Sequence, residues 1–152
     1  MSLRPARPGD AATLRALVRA AYAHYVPRMG REPAPMGDDY EARIAAGQAW
    51  LLEQDSVAMG ALVLEDTAEG LLLDNIAVAE AARGKGHGRA MIGFAEAETL
   101  RRGQTRLWLY TNEKMVENIA LYTRLGFRET HREQQAGFAR VFMEKLLAGK
   151  AG

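Results

Sequence analysis

The chain has no cysteine. Disulfide bridges, thiolate metal sites and a cysteine nucleophile are therefore excluded. Its three histidines, His24, His87 and His131, lie far apart without the paired spacing of metal ligands, so no metal is expected. No apolar run approaches the roughly 20 residues needed to span a bilayer, and no apolar h-region follows Met1-Ser-Leu-Arg-Pro5. A soluble, cytoplasmic protein with no membrane contact is the expectation. Charge is also lacking: 20 Lys and Arg face 19 Asp and Glu, a net of +1. Nucleic-acid binding normally shows as a basic excess or stripe, so no nucleic-acid partner is expected. What is present is an ordinary globular composition, 48% hydrophobic over 152 residues. That suits one domain spanning 1–152, long enough to bury roughly 70% of the surface its unfolded chain exposes.

Periodicity and breakers order the chain. Leu3-Arg4-Pro5-Ala6 reads as an edge strand, where proline is tolerated. Asp10 reads as the N-cap of a helix carrying Leu14, Leu17, Val18, Ala21, Tyr22 and Tyr25, stopped by Pro27. Pro27 to Gly37, with three prolines and two glycines, reads as a loop. Asp38 or Asp39 caps a short second helix through Ile44. Residues 49–53 and 57–65 form a hairpin, with Gly60 marking a bulge or a close backbone approach, and 71–78 is a third strand. A helix over 89–102, a strand over 106–111 and a helix over 115–125 follow. Gly103 and Gly126 end the two helices. Two strands turning near Ala136-Gly137 complete the chain. The order β-α-α-β-β-β-α-β-α-β-β predicts an α/β fold: a mixed, mostly antiparallel sheet with helices on both faces.

The densest signal runs from Asp74 to Ile92. An apolar strand leads through a break into Gly84, Gly86 and Gly88 and then directly into a helix. Alternate glycines permit positive φ and close approach. The helix behind them presents unpaired N–H groups and the positive end of its dipole. Together these make an anion cradle for a phosphate or pyrophosphate, with Arg83, Lys85 and Arg89 adding positive charge. It is not the P-loop, because Lys85 is followed by Gly86 and no hydroxyl is placed for Mg²⁺. It is not the dinucleotide fingerprint G-x-G-x-x-G either, whose third glycine falls on Arg89 and whose ribose-binding acid is missing between Glu98 and Glu113. R-x-x-G-x-G does fit, from Arg83 to Gly88. A glycine-rich surface turn beside a solvated basic cluster is the bland alternative. A second motif, Asn118-Ile-Ala-Leu-Tyr-Thr-Arg-Leu-Gly-Phe127, places Asn118 and Tyr122 on one helix face.

On these two motifs the chain resembles the Gcn5-related N-acetyltransferase (GNAT) family. In that family the first motif binds the pyrophosphate of acetyl-coenzyme A, and the second supplies a helix asparagine and tyrosine. The resemblance implies direct attack of an amine on the acetyl thioester, without an acyl-enzyme. An alkylamine with a pKa near 10.4 is neutral in only roughly 1 molecule in 2,500 at pH 7, so a base or water relay must take its proton. The leaving thiolate needs a proton in return, and Tyr122 is the implied donor. A phenol of pKa about 10 gives its proton to the thiolate of a thiol near 8.5 slightly uphill. Asn118 orients the cofactor arm or a water. The resemblance also implies that the fourth and fifth strands splay to expose backbone groups, for which Ile76 and Val78 are the candidates. His87 in the cradle is a further candidate contact for phosphate.

The remaining roles stay open. Asp74 is a candidate base, an acidic residue near where the family often carries one, and could equally cap a strand end in solvent. Glu113 and Glu117 read more simply as helix-dipole partners. Tyr22, Tyr25, Met29 and the rest of the loop to Met36 are candidates to line a pocket for a small-molecule or peptide amine. Asp38, Asp39 and Glu41 either attract a cationic amine or cap the second helix. His24 reads as a surface residue and Trp50 as core. Family analogy adds a homodimer as a possible assembly. The rival reading from another class is a non-catalytic acyl-coenzyme A-binding module, and a nicotinamide oxidoreductase is more distant.

Overall fold

A computed structural model describes residues 2–148. Seven strands form one mixed sheet in the order β1-β2-β3-β4-β5-β7-β6. They are β1 (Ser2–Pro5), β2 (Ala49–Gln54), β3 (Val57–Thr67), β4 (Gly70–Val78), β5 (Arg106–Asn112), β6 (Arg128–Gln135) and β7 (Phe138–Leu146). The helices are α1 (Ala11–Tyr22), a single turn α2 (Val26–Met29), α3 (Tyr40–Ala45), α4 (His87–Arg101) and α5 (Val116–Arg124). β4 and β5 run parallel, as the helical crossover between them requires, while the pairs β1/β2, β2/β3, β5/β7 and β6/β7 are antiparallel. The expected mixed α/β fold is therefore present, with β1 as an edge strand. No helix among the described residues is long and apolar enough to cross a membrane.

The chain divides into two compact units. One comprises residues up to Glu65 together with Asp74–Ile92; the other comprises Asp66–Leu73 and the chain from Gly93. In the first, α1 buries Ala11, Leu14, Val18 and Tyr22 at helical spacing, and Ala49–Leu52 of β2 are buried on both faces. β2 and β3 join through Asp55 and Ser56, both at positive φ (52° and 65°), the two-residue turn that matches strand twist. A register shift pairs Leu52 with Gly60 but Glu53 with Ala58, leaving Met59 as the extra residue of a bulge. Gly60 also permits a close approach: a Cβ there would lie 3.1 Å from the Ala77 carbonyl oxygen and 2.9 Å from Met91 Cε. Both meanings expected of Gly60 hold. In the second unit, Leu107, Leu109, Val141 and Met143 form a buried face of β5 and β7.

Three expectations need correction. Pro27 does not end the helical region. It lies in the first turn of α2, where its missing N–H has no partner to lose, and Gly30 (φ 75°) closes that turn with an N–H to the Val26 carbonyl. Residues 27–37 are accordingly not all loop, since Ala34–Gly37 form a 3₁₀ turn behind Pro33. Asp10 precedes α1 but does not cap it: its carboxylate accepts from the Arg7 N–H at 2.7 Å and from Arg4 at 2.8 Å. The stronger, charged partner takes the oxygens the helix would have used. Asp39 does cap α3, accepting from the Ala42 N–H at 3.0 Å.

Candidate active site

The cradle belongs to the first unit. The helix behind it starts at His87, two residues earlier than periodicity suggests, because the Ala90 N–H already bonds the Gly86 carbonyl at 3.0 Å. The N–H groups of His87, Gly88 and Arg89 thus belong to the first helical turn, which has no intrahelical acceptor for them. Gly84 and Gly86 take φ of 75° and 81°, and a Cβ on Gly84, Gly86 or Gly88 would meet nothing within 4 Å. Arg83, Lys85 and Arg89 are exposed around this open surface. Glycines at positive φ, the N–H groups of a first helical turn, three cations and open space fit a pyrophosphate. The His87 ring does not share that surface. It is 5% exposed and its Nδ1 has no hydrogen-bond partner, so His87 offers an anion its backbone rather than its imidazole.

β4 leads into the cradle. The Ala79 N–H crosses to the Met59 carbonyl of β3 at 2.8 Å. Peptide groups alternate sides along a strand, so Asn75 and Ala77 also face β3, while Ile76 and Val78 present theirs on the opposite edge. This is the property wanted of the two residues nominated for backbone contacts. Asp74 is not a solvent-facing strand cap: its carboxylate pairs with Arg43 at 3.2 Å and its side chain is 11% exposed. Arg43 also binds Asp38 at 2.8 Å and Glu65 at 2.5 Å. Burial alone would lower the Arg43 pKa, but the charge of Asp74 and the hydrogen bonds to Asp38 and Glu65 outweigh it and hold the guanidinium above its ordinary value.

The proposed substrate side is more buried than the loop reading implied. The side chains of Tyr22 and Tyr25 are in the core, and Met29 is half-buried. The Tyr22 hydroxyl donates to the Ile76 carbonyl at 3.3 Å. His24 is exposed and lies against Tyr25, with ring centroids 3.9 Å apart. The three acids proposed to attract an amine all have local partners: Arg43 for Asp38, the α3 terminus for Asp39 and Arg15 for Glu41. Trp50 is buried as expected. Sequence reasoning missed Tyr40, fully buried, whose hydroxyl accepts from Asn75 Nδ2 at 3.1 Å and donates to the Pro35 carbonyl at 2.6 Å. Burial pushes this phenol above its ordinary pKa, and the charge of Asp38 adds to the rise. Asn75 carried the available signal, a lone amide inside an apolar strand.

Asn118 and Tyr122 belong to the second unit, one turn apart on α5. The Phe127 N–H bonds the Tyr122 carbonyl and the Gly126 N–H bonds the Thr123 carbonyl, with Gly126 at φ 96°. This Schellman closure is what Leu125-Gly126-Phe127 encodes. It folds Phe127 back so that its ring meets Tyr122 edge-on, centroids 5.7 Å apart. Tyr122 is 4% exposed, and Asn118 is half-buried with Nδ2 3.7 Å from Met115 Sδ. Glu113 and Glu117 are exposed. Among the described residues, no group of three or more His, Cys, Asp and Glu could hold a metal ion.

The sequence profile of the acetyltransferase (GNAT) domain matches residues 45–129, more than half of the chain and both motifs. The protein belongs to the GNAT family of acetyltransferases. Solved structures share the fold across nearly its whole length. The PaiA N-acetyltransferase of Thermoplasma acidophilum, in complex with coenzyme A, superposes with a TM-score of 0.78 at 18% identity over 95% of this chain and 98% of that one. The ribosomal-protein-S18-alanine N-acetyltransferase of Escherichia coli gives 0.75 at 22% identity, over 99% and 96%. YncA of Salmonella typhimurium, with its cofactor acetyl-CoA, gives 0.74 at 21% identity, over 100% and 96%. No curated protein matches the chain in sequence.

Proposed function

We propose that this cytoplasmic enzyme transfers the acetyl group of acetyl-CoA directly to a primary amine of a small molecule or peptide. The observation that carries the reading is the open cradle at the start of α4, with Gly84 and Gly86 at positive φ and Arg83, Lys85 and Arg89 around them. In this reading Arg83 to Arg89 hold the pyrophosphate, and the outward peptide groups of Ile76 and Val78 receive the donor's arm and thioester carbonyl. The amine nitrogen attacks that carbonyl. A C–N bond forms, the C–S bond breaks, and Tyr122 protonates the departing thiolate before regaining a proton from solvent. Asn118 orients the arm or a water. Met29 lines the amine side, whereas Tyr22 and Tyr25 support it from the core.

Proton removal from the amine falls to Asp74 or to a water relay. Its carboxylate is held by Arg43 at 3.2 Å, which restrains Asp74 from reaching the amine. Replacing Asp74 should therefore slow turnover less than replacing Tyr122.

Tyr122→Phe tests the central role. General acid catalysis contributes about 10²- to 10⁴-fold, so thiol release from acetyl-CoA over an amine panel should fall by at least about 100-fold. Calorimetric acetyl-CoA binding should change little. Unchanged turnover with chemistry rate-limiting would remove Tyr122 from the mechanism. Tight donor binding with no turnover on any amine would restore the non-catalytic reading.

A further inference from the structure

Three consecutive residues of β4 are each held by a side chain from the helices of the first unit. Arg43 of α3 reaches Asp74 at 3.2 Å, Tyr40 of α3 bonds Asn75 at 3.1 Å, and Tyr22 at the end of α1 donates to the Ile76 carbonyl at 3.3 Å. The braces are themselves anchored. Tyr40 donates onward to the Pro35 carbonyl, and Arg43 binds Asp38, Gln48 and Glu65. We propose that Tyr22, Tyr40 and Arg43 are positioning residues that aim the outward peptide groups of Ile76 and Val78 at the acyl-CoA donor. The inference rests on the role given to those two residues in the proposed function.

Two sets of contacts fix the position and direction of the β4 peptide groups. On the β3 side the ladder does so, through Ala79 and, by alternation, Ala77 and Asn75. Each planar peptide carries one residue's carbonyl and the next residue's N–H, so that ladder sets the tilt of the outward groups of Ile76 and Val78, while side chains from the helices set where this end of the strand lies. Tyr22 holds the strand at the Ile76 carbonyl, and Tyr40 and Arg43 hold it at the two preceding residues. Donors fixed in advance need no reorganisation when charge develops on the ligand. Asn75 reinforces the point. Its Oδ1 is buried without a partner, a desolvation cost that an apolar side chain would avoid. Its strand neighbours on the same face, Leu71, Leu73 and Ala77, are apolar. An amide at this position is explained by the one bond it makes, to Tyr40.

Calorimetry with three probes tests the brace without knowledge of the amine: acetyl-CoA, coenzyme A, and the nucleotide end of coenzyme A lacking its pantetheine arm. Tyr22→Phe keeps the ring and removes one hydrogen bond. It should weaken acetyl-CoA and coenzyme A by roughly threefold to tenfold, the range of a single lost hydrogen bond, and leave the armless nucleotide within about twofold. The melting temperature should hold, which separates positioning from loss of structure. Tyr40→Phe should repeat the binding pattern at a lower melting temperature, because it leaves the buried Asn75 amide without its partner, and Arg43→Lys should restore part of what Arg43→Met loses. Acetyl-CoA affinity within about twofold of the parent in both tyrosine variants overturns the proposal, as does equal weakening of all three probes. If the parent protein binds none of the probes, the proposed function fails first and the brace loses its purpose with it.

Discussion

Two neighbouring stretches of the first unit, residues 74–78 and 83–89, are built on opposite principles. The first is a strand pinned by side chains, with Asp74, Asn75 and Ile76 each tied to a helix residue. The second is largely exposed, His87 excepted, and its glycines have open space beside them. A phosphate offers many oxygens and tolerates several donor arrangements, so a pliable backbone with surrounding charge is enough to hold it. A thioester carbonyl has one oxygen in one direction, and donors must already point at it. The stiffer stretch is the one that faces the reacting atoms in the proposed function.

The largest expected effect would break the stiff half. Arg43→Met leaves Asp38, Glu65 and Asp74 without their shared cation and should cost about 3 kcal/mol, a drop in melting temperature on the order of 10 °C. Chemical denaturation gives the value directly; a loss below about 1 kcal/mol would mean that the ion network is not what stiffens β4. A smaller stability effect is expected in the pliable half. Gly86→Ala forces a side chain to a φ of 81° and should cost about 1–2 kcal/mol, with no steric clash to add to it. Acetyl-CoA affinity should fall by roughly tenfold in the same variant, because the turn no longer closes on the anion. A larger stability loss at Gly86 than at Arg43 would invert the contrast. The smallest effect belongs to Lys85→Ala, within about 0.5 kcal/mol in stability and roughly threefold in acetyl-CoA affinity. The affinity difference should shrink as salt is raised, and one independent of ionic strength would argue against a phosphate contact.

The cradle was legible in the chain because its parts are local. Glycine spacing, adjacent cations and the start of a helix all lie within one short window, and backbone conformation there follows from residue type. The helix closure at Gly126-Phe127 was legible for the same reason. The brace was not. Tyr22, Tyr40 and Arg43 come from two helices, and their partners lie 54, 35 and 31 residues along the chain, by subtraction of residue numbers. Tyr22 and Tyr25 read as pocket residues because an aromatic on a helix carries no mark of which side it faces. Pro27 misled in the opposite sense, since the same ring that breaks a helix interior is accepted in a first turn.

The order of elements, the glycine turn and the candidates for acetyl transfer were determined by the sequence itself, because each depends on local backbone preference and side-chain chemistry. Tertiary structure decided how those residues are employed. It turned His87 inward, gave Asp74 a permanent cation, and converted Tyr22 from a substrate candidate into a support for β4. The physical reason is that burial, pairing and direction depend on neighbours distant in the chain, and only the packed fold brings those neighbours within hydrogen-bonding range.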